Sequence, residues 1–575
     1  MKLICVLLEL LVVVVLLMCA QVYGAPFPAP QIRYCSNTTG CCPPPDARVP
    51  VDFFFQPGLP MRVRSAAQFV DGKYIAKYRK AYAAMRALPR SDPRSLYAQA
   101  QLHCAYCGGA FKYKGSAWGL EIHGGWFFFA WHRAFLYFHE RILASLIRDH
   151  TFALPFWNWD NQLPIEPLGN IIPCYFDEVD NNPLYSPNRA QCARPPNIVD
   201  LAYTGAGLNG ECPDMEGLQD SNGEIMRLQM SAETARLFHG NPYRYNTRGG
   251  RSPGNMERTP HGNVHVFAGD PLADLRLNPD TQQKYAAYDD MGNLNRAAYD
   301  PLFYAHHTNL DRLWDFWIKQ GGAHTDFSDP DYLNSKFIFY DEKQNLVSIQ
   351  VSQVLDLDKL RYKYDDMINP WLMEPPLDPP DEIAPSPSMY VPPPAPPAPP
   401  PEMGMMRTIA EAFATEPSPG PTADPTTCSP TFGPDVSRII RYAPPLRKNG
   451  TQFSTTPLTF RVRRLDTTGK GFEVLTFSDL VMDWTEPAQI HAFLFLPNAT
   501  AASISCPEFF GTFSHIPEAA RTRPKDFSMT WTLGLTTRLR EIGKLHVRHV
   551  VVTLVQIGSE QLIRFQDAII EIDSS

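Results

Sequence analysis

The segment His261 to His265 reads H-G-N-V-H. It sets two imidazoles four residues apart, which on a helix is one turn and one face. Further on, Asp300 to Asp311 reads D-P-L-F-Y-A-H-H-T-N-L-D, and its His307 stands just ahead of Leu310 to Ile318, an apolar-periodic stretch that predicts a helix. His103, His123 and His132 supply a second group upstream. Three neutral imidazoles converging from a scaffold make a nitrogen-ligand site for a transition metal. Two such trios suit a pair of copper ions that act together on O2. An H-x-x-x-H pair alone says little; three features agreeing in order and spacing are specific. A zinc hydrolase does not fit, because Gly262 follows the first histidine where the metalloprotease motif needs Glu. An inert relic does not fit either, because all six candidate ligands are present.

These side chains need rigid elements to carry them. Ala66 to Leu88 has helical spacing, and Leu96 to Phe111 predicts a second helix with His103 and Cys107 one turn apart. A third, from about Trp126 to Arg148, is apolar on most faces, as a buried bundle helix is. Pro155 to Pro260, rich in Pro, Asn and Gly, reads as long loops. A fourth helix is expected to hold His261 and His265, and a fifth to follow His307. Ligands on facing helices of a bundle are a common way to build a two-metal centre. Phe337 to Trp371 alternates like short strands. From Pro375 to Pro401, 14 of 27 residues are Pro, which dictates a stiff extended linker. Beyond it, Leu458–Val462, Val474–Val481, Ile490–Leu496, Met529–Leu535, Val547–Ile557 and Leu562–Ile572 predict the strands of an all-β sandwich. The expected fold class is a mainly α catalytic domain, a helical bundle with long loops, followed by that sandwich. The expected boundaries are 1–24 for a signal peptide, 25–373 for the catalytic domain with 325–373 as a small closing segment, 374–432 for the linker, and 433–575 for the sandwich.

At 575 residues the chain is too long for one core. The net charge of −8 comes from both signs spread along the chain. No basic stripe suggests nucleic acid. Lys2 precedes an apolar run from Leu3 to Met18, broken only by Glu9, and Val22 to Gly24 before Ala25 fits a signal-peptidase site. The run is short for a bilayer span. A secretory destination, with no membrane attachment after cleavage, is expected. Sequons at Asn37, Asn449 and Asn498 agree with that route. Of 12 cysteines, Cys5 and Cys19 lie in the expected signal and ten beyond it, consistent with an oxidising compartment.

The Asp300–Asp311 segment, together with H-C-A-Y-C from His103, E-I-H at Glu121 to His123 and F-F-F-A-W-H-R-A-F-L-Y-F from Phe127 to Phe138, resembles the tyrosinase family of type-3 copper proteins, and within it the plant polyphenol oxidases (catechol oxidases). The resemblance implies His103, His123 and His132 on one copper and His261, His265 and His307 on the other, with His306 a neighbour in the pocket. It implies disulfides Cys35–Cys42 and Cys41–Cys104 and a thioether from Cys107 to His123. Cys174, Cys192, Cys212, Cys428 and Cys506 remain, an odd number. Glu257 matches the family's water-holding carboxylate. Gly262 replaces the Asn common in strongly hydroxylating members, and Leu294 stands where many relatives place a Phe over the first copper. The implied activity is oxidation of o-diphenols to o-quinones by O2, with weak or no hydroxylation of monophenols. The implied form is a latent proenzyme: the sandwich covers the pocket, the loop Pro497–Pro507 is the candidate plug, and a protease opens the linker. A tyrosinase that also hydroxylates monophenols and, in a different class, a haemocyanin-type O2 carrier use the same centre and stay open as alternatives. Flowering-plant members carry a chloroplast transit peptide; the first 24 residues, neither Ser-rich nor Arg-rich, predict secretion instead.

Overall fold

The computed structural model describes residues 24–36, 40–113, 119–203, 212, 217–245, 251–278, 282–372, 441–442, 451–465, 471–517 and 528–573. The N-terminal apolar run, the Pro-rich stretch and the sequons at Asn37 and Asn449 lie outside them. Among the described residues no helix is long and apolar enough to cross a membrane.

The first part is helical. Helix α1 (Gly72–Arg86) starts at Asp71, whose side chain accepts from the Tyr74 N–H, and α2 (Leu96–Cys107) starts at Ser95, which accepts from Ala98 N–H. Helix α3 (Phe127–Leu146) is buried from Phe127 through Ala144, as befits a helix surrounded on all sides. Helix α4 (Leu218–Met230) lies within the stretch expected to be loop. The expected fourth helix is shorter than its histidine spacing suggests. A wide π-type turn, Glu257–Gly262, with Thr259 extended inside it, precedes the six-residue α5 (Asn263–Ala268). Pro260 explains the interruption, since it has no N–H to donate. Helix α6 (Pro301–Lys319) begins before His307, not after it. Asp300 caps it by accepting from Leu302 N–H and Pro301 occupies its first turn, the N-terminal signature of a helix.

Strands β1 (Arg62–Arg64), β2 (Lys336–Tyr340), β3 (Leu346–Gln350) and β4 (Tyr362–Tyr364) close this part: β2 and β3 form a hairpin, and β4 runs parallel to β1. The closure is anchored by charge. Tyr362 Oη donates to Asp311 Oδ2 at 2.6 Å, and Tyr364 donates to the same oxygen. Arg64 and Arg133 pair with Asp311 at 3.1 and 2.5 Å, and Arg64 also pairs with Glu140 at 2.9 Å. Trp371 Nε1 donates to Asp160 Oδ2 at 3.0 Å. A buried network of this kind holds only while every member is present.

The second part is β-rich. Strands β5 (Leu458–Arg463), β6 (Phe472–Leu480), β7 (Ala488–Leu494), β8 (Phe509–His515), β9 (Met529–Gly534), β10 (His549–Ile557) and β11 (Asp567–Asp573) make two sheets, ordered β8-β7-β10-β5 and β9-β6-β11, with all of these pairings antiparallel. Phe477 stacks on Trp531 at 4.9 Å and Phe513 meets Trp531 at 5.7 Å, so their shared core is a sandwich core. Strand β8 was missed by the sequence reading. Its F-F-G-T-F-S-H is buried throughout, so it lacks the polar alternation that marks a half-exposed strand.

The sandwich docks on the helical part through polar pairs. Arg227 meets Glu541 at 2.6 Å, Arg538 meets Glu224 at 3.0 Å, Arg236 meets Glu571 at 2.7 Å, and Thr234 Oγ1 donates to Asp573 Oδ2 at 2.6 Å.

Candidate metal centre

The structure brings the sequence-predicted histidines together in two groups, His103, His123 and His132 in one, and His261, His265, His306 and His307 in the other. Within each group one ring nitrogen per residue lies within 4.8 Å of the others. His103 rides on α2, His132 on α3, His265 on α5, His306 and His307 on α6; His261 sits in the wide turn and His123 in the loop before α3. The groups touch: the His132 and His307 rings stack at 4.1 Å, and His123 faces His261 at 6.0 Å.

Ring orientation is set from behind. His132 Nδ1 donates to the Phe128 carbonyl (2.7 Å), His261 Nδ1 to the Glu257 carbonyl (2.7 Å) and His265 Nδ1 to the Met291 carbonyl (2.6 Å). That leaves each Nε2 as the inward lone pair, the usual second-sphere device for a metal-binding imidazole. Nε2 of His132 and of His261 has no hydrogen-bond partner, and His265 Nε2 faces His307 Nε2 at 3.3 Å. All seven rings are at most 7 % exposed. Burial pushes His132 to about 3 and His265 to about 4, and holds His103, His261, His306 and His307 well below the usual imidazole range. Neutral imidazoles with orphaned inward nitrogens fit two soft-to-borderline metal ions such as copper.

The cysteines staple the N-terminal loop onto α2: Cys35 pairs with Cys42 and Cys41 with Cys104. Cys192 pairs with Cys212, and Cys506 is also disulfide-bonded. Cys174 is exposed outside any disulfide, which accounts for an odd number. Cys107 is buried, outside any disulfide, with Sγ 3.2 Å from His103 Nε2.

A cavity of about 40 Å³ remains above the histidines. Glu257, His261, Gly262, His123 and Leu294 line it from the helical part. Glu257 Oε1 accepts from the Gly124 N–H at 2.7 Å, while Oε2 has no partner. Gly124 adopts φ +79°, a conformation glycine takes without strain. Burial raises the Glu257 carboxyl to about 8. The lid comes from the sandwich. Ser514, His515 and Ile516, at the end of β8, and Met529, at the start of β9, complete the lining, and the Leu294 N–H donates to the Pro517 carbonyl at 3.4 Å. The expected plug is therefore displaced along the chain. Pro497–Pro507 carries a turn, Ala501–Ser505, that packs on α4 and not over the histidines. Gly262 has a second consequence besides lacking a side chain to hold water: a Cβ built there meets Ser514 Oγ at 3.0 Å and Cβ at 3.1 Å, so glycine lets the lid seat. Arg258 also lines the cavity, and no histidine-spacing signal pointed to it.

Three family descriptions match in succession: the common central domain of tyrosinase over residues 93–320, the polyphenol oxidase middle domain over 326–377, and the chloroplastic polyphenol oxidase C-terminal domain over 444–572. The latent chloroplastic polyphenol oxidase of Prunus armeniaca is 36% identical over 530 residues, 90% of this chain and 76% of that protein. The structure of latent apple tyrosinase superposes with TM-score 0.73 and 31% identity, covering 92% of this chain and all of the other. An active aurone synthase (TM-score 0.51, 34% identity) covers only 60% of this chain while being covered in full. The expected secretory destination is overturned here. Relatives from Prunus armeniaca, Malus domestica, Vitis vinifera and Solanum tuberosum are named chloroplastic, which points to the chloroplast. The secretory reading rests on the composition of the first 24 residues, and the named compartment of these relatives goes against it. With similarity running from the helical core through the β-rich end, the chain belongs to the plant polyphenol oxidases of the tyrosinase family, oxidoreductases that act on phenols with O2.

Proposed function

We propose that the chain oxidises o-diphenols to o-quinones and is made as a latent proenzyme. The observation that carries the first half is the pair of facing, buried histidine groups with their lone pairs turned inward. His103, His123 and His132 would hold one copper, and His261, His265 and His307 the other, with the Cys107–His123 thioether restricting one ring. Two copper ions held there supply the capacity to carry two electrons from an o-diphenol to O2.

The chain's own residues do the rest. Glu257 lies one turn before His261 with one oxygen tied to the Gly124 N–H and the other uncommitted. A carboxyl raised toward neutrality in this way suits the handling of a phenolic proton, directly or through a water. Gly262 offers no second partner to such a water, which favours diphenols over monophenols. Leu294 forms one wall of the cavity and, being smaller than an aromatic ring, leaves a wider approach.

Latency rests on the lid. With Ile516 and its neighbours in place, about 40 Å³ is room for water-sized molecules and not for a phenol. The active aurone synthase is covered in full by 60% of this chain, while the latent form, 28% identical at TM-score 0.74, covers 95% of it. Cleavage between residues 374 and 432 would release the lid. The test is catechol oxidation by the copper-loaded full chain before and after limited proteolysis. Quinone formation that rises on cleavage supports both halves. O2 uptake without turnover in the cleaved form refutes the oxidase and favours a carrier.

A further inference from the structure

Arg258 is the pocket residue that the chemistry above leaves unused. It is 2 % exposed. Its Nε donates to the Pro253 carbonyl at 3.3 Å, its Nη2 donates to the Thr530 carbonyl, and its guanidinium lies over the Phe513 ring at 4.7 Å. Nη1 has no hydrogen-bond partner. The other buried arginines near the core each hold a carboxylate: Arg64 has Glu140, Arg133 has Asp311, Arg189 has Asp300 and Arg312 has Asp160. Among the described residues, Arg258 makes no such ion pair. Burial lowers it to about 9 even with Glu257 next to it. A guanidinium kept inside a protein without a counter-ion is costly, and the place it occupies is the wall of the substrate pocket.

Two of its present contacts, the Thr530 carbonyl and the Phe513 ring, belong to the sandwich and leave with it. The opened enzyme then presents a planar cation at the pocket rim with its donors freed. A diphenol whose two hydroxyls face the histidines must point its ring substituent outward, past this rim. A guanidinium fork is matched by a carboxylate, which it can bind bidentately.

We propose that Arg258 is a specificity residue of the opened enzyme, binding the carboxylate of o-diphenols that carry an acidic side chain, and that Thr530 and Phe513 hold its place in the closed chain. This inference rests on the o-diphenol reading above.

The test compares 3-(3,4-dihydroxyphenyl)propionate with its methyl ester on the copper-loaded full chain after linker cleavage, in wild type and R258Q. The measured quantity is the acid-to-ester ratio of kcat/KM, which cancels any effect of the substitution on lid release. A charged hydrogen-bond pair predicts a fall of about 10- to 100-fold in that ratio, through KM for the acid. Binding of 3-phenylpropionate, which cannot be oxidised, is measured by calorimetry on the same samples and is expected to weaken by a similar factor. R258M, which keeps the apolar stem, replaces R258Q if the latter does not fold. An unchanged ratio together with unchanged phenylpropionate affinity overturns the proposal while leaving the oxidase standing. Arg258-dependent phenylpropionate binding without oxidation of either catechol supports the carboxylate site and sinks the oxidase.

Discussion

Gly262→Ala is the sharpest probe of the lid. The added methyl would sit 3.0 Å from Ser514 Oγ and 3.1 Å from its Cβ, closer than ordinary van der Waals contact. The obstacle is a short side chain on β8, a strand paired on β7, so the neighbour yields only a few tenths of an ångström cheaply. Overpacking of this sort costs about 1–3 kcal/mol. The strain exists only while the sandwich is seated, so it falls on the closed form. At about 1.4 kcal/mol per factor of ten, the open population rises about 5- to 140-fold. The assay is the rate of catechol oxidation by the intact copper-loaded chain, divided by the rate after linker cleavage. G262A should raise that quotient, and adding S514G should lower it again, because the second change removes the clash partner. A G262A quotient equal to the wild-type value would refute the claim that Ser514 seats against this glycine.

Other substitutions probe other parts. Ile516→Ala should raise intact-chain activity and leave the cleaved rate unchanged, since Ile516 leaves with the lid. His261→Asn should lower copper content from two ions to one per chain by elemental analysis, with an electron paramagnetic resonance signal from the now unpaired Cu(II). Asp311→Ala strands Arg133, leaves Arg64 with Glu140 alone, and should destabilise the catalytic part by about 3–5 kcal/mol, read as a lower Tm. For Glu257, the folded carboxyl is raised above its ordinary value of 4.5 to about 8, so the folded state holds the proton and its stability falls as pH rises through that window. Glu257→Gln cannot lose a proton, so the Tm of metal-free Glu257→Gln relative to wild type should climb, on the order of a few degrees, between pH 5 and 8; a flat difference would argue against burial as the cause.

The six ligand candidates were legible because a metal site demands particular residue types at particular spacings, and those demands are local. The start of α6 was legible too, in Asp300 and Pro301, although reading the helix only from Leu310 placed it too late. Pro260, read only as the end of the loop region, is the residue that keeps His261 and His265 from sharing a regular helix. What stayed hidden depends on docking. Ser514, Ile516 and Met529 lie more than two hundred residues from the pocket they close, and β8 has no alternation because both its faces are covered. Arg258 looks like any charged residue in sequence; only the absence of an ion pair around a buried guanidinium marks it out. The destination of the chain was misread because it was read from the leader's composition, the sequons and the cysteines, and none of these is a contact the fold has to make.

The anchoring of β4 to Asp311 and of Trp371 to Asp160 bears on how demanding activation has to be. Both pins lie upstream of the Pro-rich stretch, so a break anywhere within 374–432 leaves the same secured hem on the catalytic part. On the proposed activation by cleavage, the catalytic part would set no demand on where within that stretch a protease cuts.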